Sequence, residues 1–223
     1  MAETAEMVRA KARVLELGEL DYERAWKLQT AMVDRRSDAK IGDTFLFVTH
    51  PPTITIGRSA KGDNLLVSGS ELKRRGVARF EIERGGDITF HGPGQQVIYP
   101  IIDLRSRGRD VHKFLRDLEE VIIQFLRNYD LKGQRIHGKT GVWVGEQKIC
   151  AIGVAVRRWI TFHGLALNLD TDLSFFDLIN PCGMPSSSVI SLQNLIQTPI
   201  DKSKAFYQLI NAIQLVFDLD LSL

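Results

Sequence analysis

The sequence predicts a mixed α/β fold, a mixed and mostly antiparallel β-sheet flanked by helices. Three observations predict it. Apolar residues recur at helical spacing between Val111 and Leu126, which a strand cannot use. The run "TGVWVGEQKICAIGVAVRRWITFHGLALNL" reads as three consecutive strands joined by two tight corners. No repeat, low-complexity tract or linker interrupts the 223 residues, so residues 1–223 are expected to form a single domain.

The elements follow in order. Val14 to Leu17 reads as a first strand, and Asp21 as the N-cap of a helix carrying Tyr22, Ala25, Trp26 and Met32 near one face. "TFLFVTHPPTITIG" holds two short β-rich runs, broken at His50, Pro51 and Pro52 because paired prolines cannot continue a ladder. "SELKRRG" is a short helix ending at Gly76, and "VARFEIE" alternates as a half-buried strand. A glycine loop starting at Arg84 precedes the strand "QQVIYPIID". The 111–126 helix comes next, its stripe formed by Val111, Phe114, Leu115, Leu118, Val121, Ile122, Phe125 and Leu126. In the triple-strand block, Gly145 opens the first hairpin turn and Arg157–Arg158 make the second corner. "INPCGMPSSS" is coil, and Ser203 to Asp218 closes the chain as an amphipathic helix.

A net charge of +2 is too mild for an electrostatic nucleic-acid binder. The basic clusters Lys73–Arg75, Arg105/Arg107/Arg109 and Arg157–Arg158 read as solvated faces, with docking of an acidic partner as the alternative. Two cysteines, Cys150 and Cys182, are too few for a disulfide framework and lack zinc-ligand spacing, so neither metal nor cofactor is expected and the compartment is expected to be reducing. The opening "MAETAEMVRAKARVLEL" has acidic residues and no continuous apolar core, and no apolar run approaches the ~20 residues of a membrane span, so a cytoplasmic protein is expected.

Chemistry concentrates in two places. "RGGDITFHGPGQQVIYP" sets four glycines where backbone must turn or come close to something else. Cys182 lies in "NPCGMP", a stiff, open loop unlike the apolar strand context of Cys150, and reads as a reactive thiol. A free thiol has a pKa of ~8.5 and needs a neighbour to act as a thiolate at neutral pH. Lys148, flanked by apolar strand residues, is one candidate partner; His91 and His163 are the others.

These segments, "HPPTITIGR", "RGGDITFHGPGQQVIYP", "GEQKICAIGVAV", "FHGLALNL" and "INPCGMP" in that order, closely resemble the lipoyl(octanoyl) transferases, from about His50 to Pro185. That family is similar to the catalytic domains of biotin and lipoate ligases. The resemblance implies their fold, a mixed sheet flanked by helices with an acyl tunnel over it. It implies transfer of octanoyl (or lipoyl) from octanoyl-acyl carrier protein to a lysine of the lipoyl domains of 2-oxoacid dehydrogenases or the glycine-cleavage H protein, without ATP, nucleic acid or membrane. Cys182 then matches the nucleophile that carries the acyl thioester, and Lys148 the lysine paired with it. The substrate-binding set matches Arg84, Gly85, Gly86, Asp87, Ile88, Thr89, Phe90 and His91, with Ala151, Ile152 and Gly153, and with Gly164, Leu165 and Ala166. Ile88 and Phe90 are expected to supply apolar wall, and Asp87 to stabilise the turn. One position departs: residue 150, commonly alanine in the family, is a second cysteine, on the same side of its strand as Lys148 by alternation. An ATP-dependent lipoate or biotin ligase, a non-catalytic acyl-binding module and a cysteine hydrolase are the rival readings.

Overall fold

The apolar stripe between Val111 and Leu126 becomes the buried side of α3 (Val111–Arg127), with Phe114, Leu118, Val121, Ile122, Phe125 and Leu126 inside. Asp110 caps it, accepting the Lys113 N–H as an N-cap carboxylate should. The computed structural model describes residues 9–60 and 62–223. Residues 1–8, on which the reading of the N-terminus partly rests, lie outside the described residues.

Eight strands form one sheet: β1 (Ala10–Glu19), β2 (Thr44–Thr49), β6 (Gln95–Ile101), β7 (Gly133–Ile136), β8 (Lys139–Val144), β9 (Gln147–Arg157), β10 (Ile160–Asn168) and β11 (Leu219–Ser222), in the order β11-β1-β2-β6-β10-β9-β8-β7. Its β11-β1 and β1-β2 pairs are parallel and the rest antiparallel, as the sequence predicts for a mixed, mostly antiparallel sheet. α3 and α5 (Lys202–Phe217) pack together on one face, where Phe217 meets Phe45 and Phe114 edge-on. On the other face, α1 (Tyr22–Ser37) covers β6 and β10.

A second sheet of three short strands, β3 (Thr53–Ile56), β4 (Ala78–Glu81) and β5 (Ile88–His91), has the order β4-β3-β5. β5 corrects the reading of Arg84 to His91 as loop. Only four residues long and hidden among glycines, it is held by antiparallel pairing to β3, from Ile56↔Ile88 to Thr53↔His91, a contact well back in the chain that no local pattern reports. β7, β11 and the short α4 (Leu192–Ile196) were likewise not anticipated, each being too brief to show a period. Asp21 stands at the N-cap of α1 but makes no side-chain capping bond. The second hairpin corner is made by Arg158 and Trp159, both at positive φ, one residue beyond the expected pair.

The basic clusters are largely spent on acidic neighbours: Arg74 and Arg75 share Glu71, Arg105 grips Asp103 and Arg157 meets Asp34 at 2.9 Å. Among the described residues, no helix is long and apolar enough to cross a membrane.

β9 and β10 prepare the site. Gly153 faces Gly164 and Ala151 faces Ala166 across the ladder, two pairs of small residues on one surface. Side chains are excluded there for a reason. A Cβ on Gly164 would strike the carbonyl oxygen of Ile98 and come within 2.6 Å of Pro100 Cδ. Gly164→Ala is therefore expected to cost about 1–3 kcal/mol, and a thermal melt should show Tm lowered by roughly 2–4 °C per kcal/mol.

Candidate active site

The loop Arg84–Asp87 lies directly on this bare surface. Gly85 N–H donates to Val154 O at 2.9 Å, and a Cβ on Gly153 would sit 2.7 Å from Gly85 O. Between loop, β5, β6, β9 and β10 is a cavity of about 30 Å³. Its walls include Tyr22, Arg84, Thr89, His91, Tyr99 and His163, over a floor of Ala151, Gly153, Gly164 and Ala166. At ~10–15 Å³ per water it has room for about two.

Strand alternation divides the expected binding set. Thr89 and His91 face the cavity, whereas Ile88 and Phe90 point the other way, into a cluster with Ile54 and Leu72; Phe90 stacks on Phe175 at 4.8 Å. Ile88 and Phe90 therefore do not form the expected wall of this cavity. Ile152 and Leu165 belong to the α3/α5 core and border the cavity between the small residues. Gly85 and Gly86 contribute backbone to the loop. Asp87 fastens it: one carboxylate oxygen accepts the Ile88 N–H at 2.7 Å and the other the Asn64 side-chain amide. Asn64 O in turn accepts the Asn180 N–H at 2.8 Å, two residues before Cys182.

Arg84 is buried and its guanidinium is committed. Nη2 donates to Thr55 O at 2.8 Å and to Thr55 Oγ1 at 3.0 Å, and Nη1 to Gly85 O at 3.0 Å. A polar chain continues from there. Thr55 Oγ1 lies 3.2 Å from His91 Nε2, and His91 Nδ1–H donates to Gln95 Oε1 at 2.9 Å. Gln95 Nε2 donates to Asn168 Oδ1 at 2.9 Å, and Asn168 Nδ2 to Ile190 O at 3.1 Å. Since Gln95 offers a carbonyl to His91 Nδ1, that nitrogen carries a proton, and burial, which holds the pKa well below the ordinary histidine range, disfavours a second one on Nε2. His50 is similar: its Nδ1–H donates to Leu20 O at 2.6 Å, Tyr99 OH donates to Nε2 at 2.7 Å, and burial pushes its pKa down to about 4.

Cys182 occupies a left-handed backbone conformation (φ 54°, ψ 35°) at the centre of a short 3-10 turn, Pro181–Gly183, and is exposed. That conformation costs a non-glycine residue roughly 1–2 kcal/mol. The turn is over-determined by Gly183 N–H to Asn180 O at 3.0 Å and Met184 N–H to Pro181 O at 3.1 Å. Lys148, on β9, is 7% exposed; its Nζ donates to Thr140 O at 3.2 Å and lies 4.9 Å from the Trp143 ring centre. Burial lowers its pKa, while negative charge on Cys182 pulls in the opposite direction. Cys182 acts in the same way on Arg84. The charges acting on His91 and His163 are instead those of His50, Arg84 and Glu83. Of the three candidate partners, Lys148 is the one on which the charge of Cys182 acts. Cys150 is fully buried in the α3/α5 core, where burial pushes its thiol far above the ordinary range and so suppresses the thiolate.

The charge of the exposed Cys182 thiol thus acts both on the buried Lys148 and on Arg84, which lines the cavity floored by glycine and alanine. Residues 21–214 match the lipoyl protein ligase A/B catalytic domain. The chain is 45% identical to the octanoyltransferase of Desulforamulus reducens, covering 94% of this chain and 92% of the relative. The chain belongs to the octanoyltransferase family. Another member, from Chloroflexus aurantiacus, is 51% identical over 79% of this chain and 80% of its own. A lipoate protein ligase from Thermoplasma acidophilum shares the fold, with a TM-score of 0.72 at 16% identity, over 96% of this chain and 86% of that one. As an octanoyltransferase-family member the chain is an acyltransferase of the biotin/lipoate ligase fold. In it, Thr55, Gln95 and Asn168 join Arg84 and His91 into one network, and sequence reasoning missed all three. All three stood in quoted motifs, but only spatial pairing shows which polar residues of a strand are buried together. Among the described residues, no group of three or more His, Cys, Asp or Glu is placed to hold a metal ion.

Proposed function

We propose that the chain transfers octanoyl from octanoyl-acyl carrier protein to a lysine of lipoyl domains through a thioester on Cys182, with Lys148 moving the proton. The observation that carries this reading is the likeness to octanoyltransferases over most of the chain, to which the exposed Cys182 thiol and the buried Lys148 amine, held at Thr140 O, add a nucleophile and a base. Burial disfavours the charge of Lys148 and the Cys182 sulfur favours it. The thiolate attacks the carrier thioester, the tetrahedral intermediate collapses and the carrier sulfur leaves as a thiolate that takes the proton of the Lys148 ammonium. Both charges at the site are then gone. With the anion consumed, only desolvation acts, so Lys148 stays neutral and can receive the proton lost by the incoming lysine amine. The amine forms the octanoyl amide as the thioester C–S bond breaks and Cys182 leaves as a thiolate, restoring the starting pair with the protonated Lys148. No ATP is consumed because the acyl group arrives already activated as a thioester.

Recognition of the acyl chain rests on apolar burial at about 0.8 kcal/mol per methylene. The floor is strand backbone and fixed on both sides, so widening of the 30 Å³ cavity falls to the Arg84–Asp87 roof. Soluble 2-oxoacid dehydrogenase lipoyl domains and the glycine-cleavage H protein are the acceptors, and the cytoplasm is the place of action.

The test is intact mass and peptide mapping after brief exposure to octanoyl-acyl carrier protein. An octanoyl adduct on Cys182 that discharges onto an added lipoyl domain is expected. An adduct on Cys150, discharge to water, or product formed only from free octanoate and ATP would each overturn the reading.

A further inference from the structure

Glu119 sits in the middle of α3 with no exposed surface, and a buried carboxylate is costly unless paired. Its Oε2 accepts from Arg116 Nη1 at 2.6 Å and Arg135 Nε at 3.1 Å. Its Oε1 accepts the main-chain N–H of Gly141 at 3.1 Å. The other end of that same peptide bond is the Thr140 carbonyl, which accepts Lys148 Nζ at 3.2 Å. A trans peptide is rigid and planar, so a carboxylate gripping its N–H fixes the direction of its C=O. The grip also polarises the amide, strengthening the bond its oxygen accepts.

Gly141 adds a second constraint. It adopts φ +129°, which side-chain-bearing residues rarely do, and a Cβ there would lie 2.7 Å from Cys150 O and 3.2 Å from Lys148 Cε. The lysine stem therefore runs along the bare Cα of Gly141. Trp143, paired with Lys148 across the β8–β9 ladder, presents its ring to the ammonium. Stem, carbonyl and ring together set where Nζ sits. The peptide among them is held from behind by a charge that the core would otherwise not accommodate.

We propose that Glu119 is a positioning residue for Lys148, acting through the Thr140–Gly141 peptide. Arg116 and Arg135 are half-exposed and can be solvated without Glu119, so the ion pairs do not by themselves require a buried acid at this place. The inference rests on the Cys182–Lys148 reading.

The test compares Glu119→Leu, Glu119→Asp and Glu119→Gln with Lys148→Met, measuring the rate of Cys182 alkylation by iodoacetamide at pH 7 and the kcat and KM of octanoyl transfer. Leucine removes the acceptor at similar volume, and aspartate, one methylene shorter, withdraws it while keeping the charge for both arginines. Both are expected to slow alkylation toward the Lys148→Met rate and to lower kcat by about tenfold to a hundredfold with KM unchanged, the signature of a displaced group. Glutamine, which still offers an oxygen to Gly141, should restore part of the loss. If Glu119→Leu does not fold, Glu119→Asp carries the test. A folded aspartate variant with wild-type alkylation and kcat, beside a slowed Lys148→Met, would overturn this inference alone. A Lys148→Met form alkylated at the wild-type rate would overturn the dyad and the inference with it.

Discussion

Cys182→Ala is expected to reduce octanoyl transfer by about 10³-fold or more, since the covalent route is lost and only positioning remains. No second thiol can substitute. Cys150 is sealed in the α3/α5 core, its ionisation suppressed by burial. The check is steady-state transfer from octanoyl-acyl carrier protein to a lipoyl domain, with intact mass to show that no acyl-enzyme forms. The same position should separate stability from activity. Cys182 holds φ 54°, strained for a side-chain-bearing residue, so Cys182→Gly is expected to be equally inactive yet to melt no lower than the parent. A glycine or alanine form retaining transfer would remove the nucleophile from the mechanism.

The second large effect concerns Lys148 and pH. Burial lowers the pKa of this amine, so its neutral form, the one that accepts a proton, is reached at a lower pH than for a solvated lysine at ~10.4. Discharge of isolated octanoyl-enzyme onto a lipoyl domain should therefore rise with pH and level off below that range. The stability sign is the same. The unfolded chain, with the higher lysine pKa, binds more protons between the two values, so this residue's contribution to stability increases as pH rises through that window. Lys148→Met is expected to slow discharge by about 10²–10⁴-fold and to abolish the plateau, measured by stopped-flow or quenched mass spectrometry across pH. Discharge by Lys148→Met with the parent's rate and pH profile would sink the assignment.

Much of the fold was legible because its elements are long enough to show a period. The α3 stripe, the β8–β10 run and the Gly145 turn each carry their signal within one segment. β5, β7 and β11 carry none, being four residues each; β5 and β11 are moreover defined by partners far away in the chain, whereas β7 pairs with the next strand. The candidate site divides the same way. Two cysteines in opposite contexts, one between prolines and one in an apolar strand, already separate an open thiol from a core one. Contiguous motif residues, however, do not share a face. Alternation sends Thr89 and His91 to the cavity and Ile88 and Phe90 away from it.

Residue order alone thus decided the class of fold, the loop that carries the sulfur and the glycine-rich segment beside it, since turn chemistry and periodicity act between near neighbours. Which halves of the motifs face inward, and how a carboxylate on α3 reaches the Lys148 amine through one peptide, were decided only when the sheets registered and packed. Charge, burial and hydrogen bonding act across space, between residues such as Glu119, Thr140, Lys148 and Cys182 that no local window contains together.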